Sequence, residues 1–185
     1  MGSLAHHEHN VTVVQGECKT SPDADIVFST ILGSCVSACM FDRTARIGGM
    51  NHFLLPGDTV ARHADESVYG AYQMELLING LMRLGAQRSR IEAKLFGGGR
   101  IVAGLSDIGR RNAEFAARYL DYEGIPVIGK DIGGDHARRL QFWPATGRAR
   151  VRYAVVDDPR LAAQEQGITH HGARPATRAG AVELF

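Results

Sequence analysis

The sequence predicts an α/β (α+β) fold: a mixed or mostly antiparallel β-sheet core with flanking helices. Three observations carry this. Short β-branched and aromatic runs recur along the chain, two of them are separated by a short polar connection as in a hairpin, and only two segments show helical spacing. With 185 residues the chain fits one domain with a large enough core of its own.

Val11–Val14 is the first β-like stretch, and Asp25–Leu32 reads as the next strand, broken by Gly33-Ser34. Residues 36–41 and 47–55 are apolar runs around Asp42-Arg43-Thr44-Ala45-Arg46, the hairpin. A helix follows over about 65–84, because Ala71, Met74, Ile78 and Leu81 share one face and Gly85 stands where a helix stops. Residues 91–96 form a strand, Gly97-Gly98-Gly99 a loop, and residues 107–122 a second helix with Ser106 as N-cap and Gly124 as its stop. Strands over 126–132, 139–143 and 148–156 complete the core, the last alternating Val151, Tyr153, Val155 against Arg150, Arg152, Ala154. Residues 1–10 are expected to be a flexible N-terminus, 11–156 the folded domain and 157–185 a flexible tail with no periodicity.

Lys and Arg number 21 against 20 Asp and Glu, so no net field favours nucleic acid. No secretory leader and no membrane-spanning run are expected from the sequence, and an odd count of three cysteines implies no disulfide framework. The expectation is a protein of a reducing compartment, in which a thiol stays free.

The segment Ser29–Pro56 holds the residues with chemistry. Cys35 follows a Gly-Ser break and His52 lies on the second arm of the hairpin. If paired positions sum to 87, Cys35 opposes His52; if they sum to 89, it opposes Leu54. Either way both side chains share a face, because faces alternate with period two. An imidazole beside a thiol supports nucleophilic attack on a carbonyl carbon. The backbone at Gly33 and Ser34 could hold an oxyanion, and a hydroxyl at Ser29 or Thr30 could orient the ring. Against this stands the ordinary alternative, in which Cys35, Cys39 and His52 are core residues.

Gly97-Gly98-Gly99-Arg100 lacks the Gly-Lys-Ser/Thr of a phosphate loop, and His6, His7, His9, His170 and His171 lie in the expected flexible ends. No cofactor and no metal are therefore expected. Arg110, Arg111, Arg138 and Arg139 read as a solvated face or as a contact surface for acidic helices.

The residues Leu32-Gly33-Ser34-Cys35-Val36-Ser37-Ala38-Cys39 and Gly48-Gly49-Met50-Asn51-His52-Phe53-Leu54-Leu55-Pro56 resemble the chemoreceptor glutamine deamidases, the CheD family. Lys94–Gly99, Ile108–Asn112, Asp131–Gly134 and Arg138-Arg139 extend the resemblance over about 11–155. It implies a cytoplasmic Cys–His–Thr hydrolase that converts glutamines of methyl-accepting chemotaxis receptors to glutamate. It also implies a fold similar to the cytotoxic-necrotizing-factor deamidases and, in some members, binding to a CheC-type phosphatase. A non-catalytic adaptor of the same pathway is the alternative. Cys35 is then the nucleophile and His52 the base. The third residue, usually threonine, falls six positions before the cysteine, on Ser29, with Thr30 beside it.

Overall fold

In the computed structural model, the described residues are 8–55, 63–100, 108–154 and 181–184. Ten strands and two helices are formed among them: β1 (His9–Thr12), β2 (Cys18–Ser21), β3 (Ile26–Leu32), β4 (Val36–Asp42), β5 (Ile47–Asn51), α1 (His63–Arg83), β6 (Glu92–Gly97), α2 (Ile108–Tyr122), β7 (Val127–Ile132), β8 (Ala137–Trp143), β9 (Arg148–Ala154) and β10 (Ala181–Leu184). The strands make two sheets, in the orders β1-β3-β8-β9-β10 and β2-β5-β4-β6-β7. Only β1–β3 and β6–β7 run parallel; the remaining neighbours are antiparallel. This is the mixed, mostly antiparallel core that the sequence predicts.

All seven residues of β4 are buried, because it is covered on both faces. Its alternation sorts them. Cys39 and Phe41 point to the other sheet and join Phe28, Leu32, Leu140 and Phe142. Val36, Ala38 and Met40 point the other way, into a cluster with Met74, Leu77, Ile78 and Leu81 of α1 and Ala113, Ala116 and Leu120 of α2. The layers are therefore sheet, sheet and helices. Each helix ends as its glycine requires. Gly85 (φ 105°) and Gly124 (φ 67°) take left-handed conformations, and the next residues donate back to the Leu81 carbonyl (3.1 Å) and the Leu120 carbonyl (2.9 Å).

The hairpin pairs Asp42 with Ile47 and Cys39 with Met50, so paired positions sum to 89 and the turn is residues 43–46. Buried Asp42 sets that turn. One carboxylate oxygen accepts the Thr44 and Ala45 N–H groups at 3.0 Å, and the other accepts from Gln87 at 2.9 Å. Desolvation pushes this carboxyl up, but Arg90 and those N–H donors outweigh it and hold the group down at about 2.

Three expectations are corrected. Residues 9–10 are not a flexible end: they belong to β1, paired parallel with β3, and Glu8 accepts from the Trp143 indole at 2.9 Å. The first strand is His9–Thr12 rather than residues 11–14, because its register is set by β3 and not by local propensity. The expected tail is paired at its end, where β10 adds to the open edge of β9; residues 155–180 lie outside the described ones. Strand β2 had no sequence signal. Cys-Lys-Thr-Ser is short and polar, and it pairs only with β5 at the sheet edge.

Candidate functional site

The chain crosses from one sheet to the other at Gly33–Cys35, between β3 and β4. That crossing puts Cys35 at the seam of the two sheets, where it is 5% exposed. His52 follows β5, which lies beside β4. Val36 and Phe53 exchange two backbone hydrogen bonds of 3.0 Å, so Cys35 stands opposite Leu54 and His52 opposite Ser37. The two side chains are diagonal neighbours on the inter-sheet face. Of the two registers read from the sequence, the one summing to 89 is the one formed.

His52 is fully buried, and its ring is held from the far side. Nδ1 lies 2.8 Å from Thr30 Oγ1 and 3.3 Å from the Val13 carbonyl oxygen. A carbonyl can only accept, so it selects the tautomer with the proton on Nδ1, and the Thr30 oxygen shares that proton. Nε2 is then a lone-pair acceptor, and it is buried with no hydrogen-bond partner among the described residues. Desolvation lowers the ring's pKa to about 4, against the opposing pull of the Val13 carbonyl and the Glu17 carboxylate. The imidazole is therefore neutral at physiological pH, the form a general base needs.

Thr30 and Ser29 part company here. Phe28, Thr30 and Leu32 alternate toward the space between the sheets, where Phe28 and Leu32 join the core. Ser29 lies between them and therefore on the opposite face of the sheet. Of the two hydroxyls read from the sequence, Thr30 makes the contact with His52 Nδ1, and period two turns Ser29 away from the ring.

The bend before Cys35 is pinned from the helix side. Asn112 of α2 donates to the Ser34 carbonyl at 2.9 Å and accepts the Leu55 N–H at 2.9 Å, tying the cysteine bend to the segment after His52. Gly99 N–H donates to the Gly33 carbonyl and Gly98 N–H to the Cys35 carbonyl, both at 2.8 Å. Gly97 must be glycine: its φ is 103°, and a Cβ there would collide with the Cys35 carbonyl. The triple glycine is thus a support for the cysteine bend. Beyond it lies a cavity of about 430 Å³ lined by Gly98, Gly99, Gly109, Arg110, Gly133 and Gly134, among others.

The expected arginine cluster is divided. Arg138 is 3% exposed, is paired with Asp131 at 3.0 Å and donates to the Gly133 carbonyl, so it braces a loop rather than presenting a surface. Arg110 stays exposed and pairs with Glu114 at 2.8 Å. Cys39 is fully buried, and burial pushes its thiol well up; Cys18 is pushed up to about 12 for the same reason. Cys39 is a core thiol, and Cys18 is half-buried on the edge strand β2.

Asn112 and Gln15 went unassigned in the sequence. Gln15 accepts from Cys35 Sγ at 3.6 Å. Tyr69 of α1 also feels Cys35: burial first, then the charge of the thiolate, raises its phenol. Neither residue carries a spacing signal, since each reaches the site from a different element.

A buried thiol, a neutral imidazole on the same face and a hydroxyl on the far ring nitrogen are the groups that nucleophilic attack on a carbonyl carbon can use. The model of a family described as CheD chemotactic sensory transduction matches residues 54–153. A protein of Acidiphilium cryptum (strain JF-5) named "Probable chemoreceptor glutamine deamidase CheD" is 50% identical over 182 residues, covering 97% of this chain and 95% of its own. A protein of the same name from Rhizobium meliloti (strain 1021) is 56% identical over 148 residues, 79% of this chain and 80% of its own. Among solved structures, the Bacillus licheniformis hypothetical protein YfiH matches with a TM-score of 0.42 and 13% identity over 69% of this chain and 60% of its own. The chain belongs to the CheD family.

Proposed function

We propose that this protein deamidates glutamine side chains of chemoreceptors to glutamate, with Cys35 as nucleophile, His52 as base and acid, and Thr30 orienting the ring. One observation carries it: Thr30 and Val13 hold Nδ1 of a buried neutral imidazole, and the strand register puts His52 on the same face as Cys35. The names of the relatives supply the substrate class.

His52 Nε2 takes the thiol proton as Sγ attacks the side-chain amide carbon. The amide oxygen becomes an oxyanion, received by backbone N–H groups at Gly33–Cys35, a bend held by Asn112 and Gly99. The imidazolium returns its proton to the amide nitrogen, and ammonia leaves a thioester on Cys35. Water, deprotonated by the same imidazole, then opens the thioester, releasing glutamate and restoring the thiol. Thr30 steadies the ring in both half-reactions, because its oxygen and the Val13 carbonyl stabilise positive charge on the imidazolium.

The partners are the cytoplasmic helices of methyl-accepting chemotaxis receptors, which places the protein in the cytoplasm; a CheC-type phosphatase is a second partner implied by the family resemblance. Among the described residues no helix is long and apolar enough to cross a membrane. The test is mass spectrometry of a receptor cytoplasmic fragment after incubation. Wild type converts glutamine to glutamate and Cys35→Ala does not, while still binding the fragment. Binding with no conversion by wild type would leave only the adaptor.

A further inference from the structure

The loop that brings Val13 to His52 carries a residue the chemistry above does not use. Val14–Glu17 is a tight turn, closed by the Glu17 N–H on the Val14 carbonyl at 3.0 Å. Gly16 has a φ of 85°, so Gln15 sits at the second position of a type II-like turn. The turn is fastened on every side. Gly16 N–H donates to the His52 carbonyl at 2.7 Å and His52 N–H to the Glu17 carbonyl at 3.0 Å. Val14 N–H donates to the Glu17 carboxylate at 3.0 Å, and Gln73 donates to the Gly16 carbonyl at 3.4 Å. Gln15 is exposed, yet the backbone beneath it is fixed to the segment that carries the imidazole.

From that anchored position the side chain reaches the thiol, and its Oε1 accepts from Cys35 Sγ at 3.6 Å. A glutamine carboxamide therefore rests on the sulfur, the same functional group that the proposed reaction brings there. A thiol has one proton. While it points at Gln15 it is not shared with His52, and Nε2 is correspondingly without a partner among the described residues.

We propose that in the resting protein Gln15 occupies the carboxamide position at Cys35, and that a substrate glutamine must displace it. Gln15 is on this account a specificity-determining residue: it sets the affinity for substrate amides and keeps the thiol proton off the base until a substrate arrives. The inference rests on Cys35 being the nucleophile. It involves no covalent step of its own.

The test is the rate of Cys35 alkylation by iodoacetamide across pH, followed by KM and kcat on a receptor fragment. Gln15→Ala should raise the alkylation rate near neutral pH about two- to tenfold, the range that one modest hydrogen bond converts to. It should also move the alkylation profile to lower pH and lower KM with little change in kcat. Gln15→Asn is one methylene too short to reach the sulfur and should behave like Gln15→Ala. Gln15→Glu keeps the reach but sets a carboxylate against the thiol, so its profile should move to higher pH. Exposure of Gln15 makes all three variants safe for folding. Alkylation of Gln15→Ala and Gln15→Asn at the wild-type rate, or slower, would overturn the inference while leaving the role of Cys35 intact. Retention of deamidation by Cys35→Ala would overturn the role of Cys35 itself.

Discussion

Replacing Thr30 by valine removes one hydroxyl and keeps nearly the same volume at a site that is 5% exposed, so packing between the sheets survives. What is lost is the 2.8 Å contact to His52 Nδ1; the Val13 carbonyl remains at 3.3 Å. In the resting protein the ring is neutral and the contact is worth little. When the ring carries the thiol proton the contact becomes a charge-assisted hydrogen bond, worth about 1.5–3 kcal/mol. At about 1.36 kcal/mol for each factor of ten, kcat should fall about 10- to 150-fold. KM should stay unchanged, because the hydroxyl faces the imidazole and not the substrate. Thr30→Ser should keep most of the activity. Ser29→Ala changes a half-buried residue on the other face of the sheet, away from the ring, and should stay within about twofold of wild type. The assay is steady-state release of ammonia from a receptor cytoplasmic fragment. A silent Thr30→Val with a damaging Ser29→Ala would refute the alternation argument and move the orienting role to Ser29.

Two further outcomes follow from burial. His52 titrates at about 4 in the folded protein against 6.5 when exposed, because desolvation disfavours its charged form, so the unfolded chain binds the proton first as pH falls. Stability should therefore drop on going from about pH 6.5 to about pH 4, by about 3 kcal/mol from this group alone, and be unaffected by it above that window. Urea unfolding checks the drop, and an NMR titration of the ring with a midpoint near 6.5 would contradict it. Cys35 should react with iodoacetamide before Cys18 and Cys39, whose thiols burial pushes up, and peptide mapping of the partly alkylated protein shows the order.

The apolar runs on either side of residues 42–46, the helical spacing of Met74, Ile78 and Leu81, and the glycines after each helix were enough to predict the hairpin, both helices and the mixed sheet, because each signal is local. Period two alone put Cys35 and His52 on one face under either register. The choice between registers was not local. It fell to Asp42, whose carboxylate gathers the turn N–H groups together with Gln87, 45 residues away. The third hydroxyl shows the limit most clearly. Counting back from the cysteine points to Ser29, but a count along the chain carries no information about which face of β3 meets the other sheet. That face is decided by packing of Phe28 and Leu32 against Leu140 and Phe142, and it turns Thr30 toward the imidazole. Asn112 and Gln15 were illegible for the same reason. Each acts on the cysteine bend across 78 and 20 residues of chain, a closeness that exists only once the two sheets and α2 have packed.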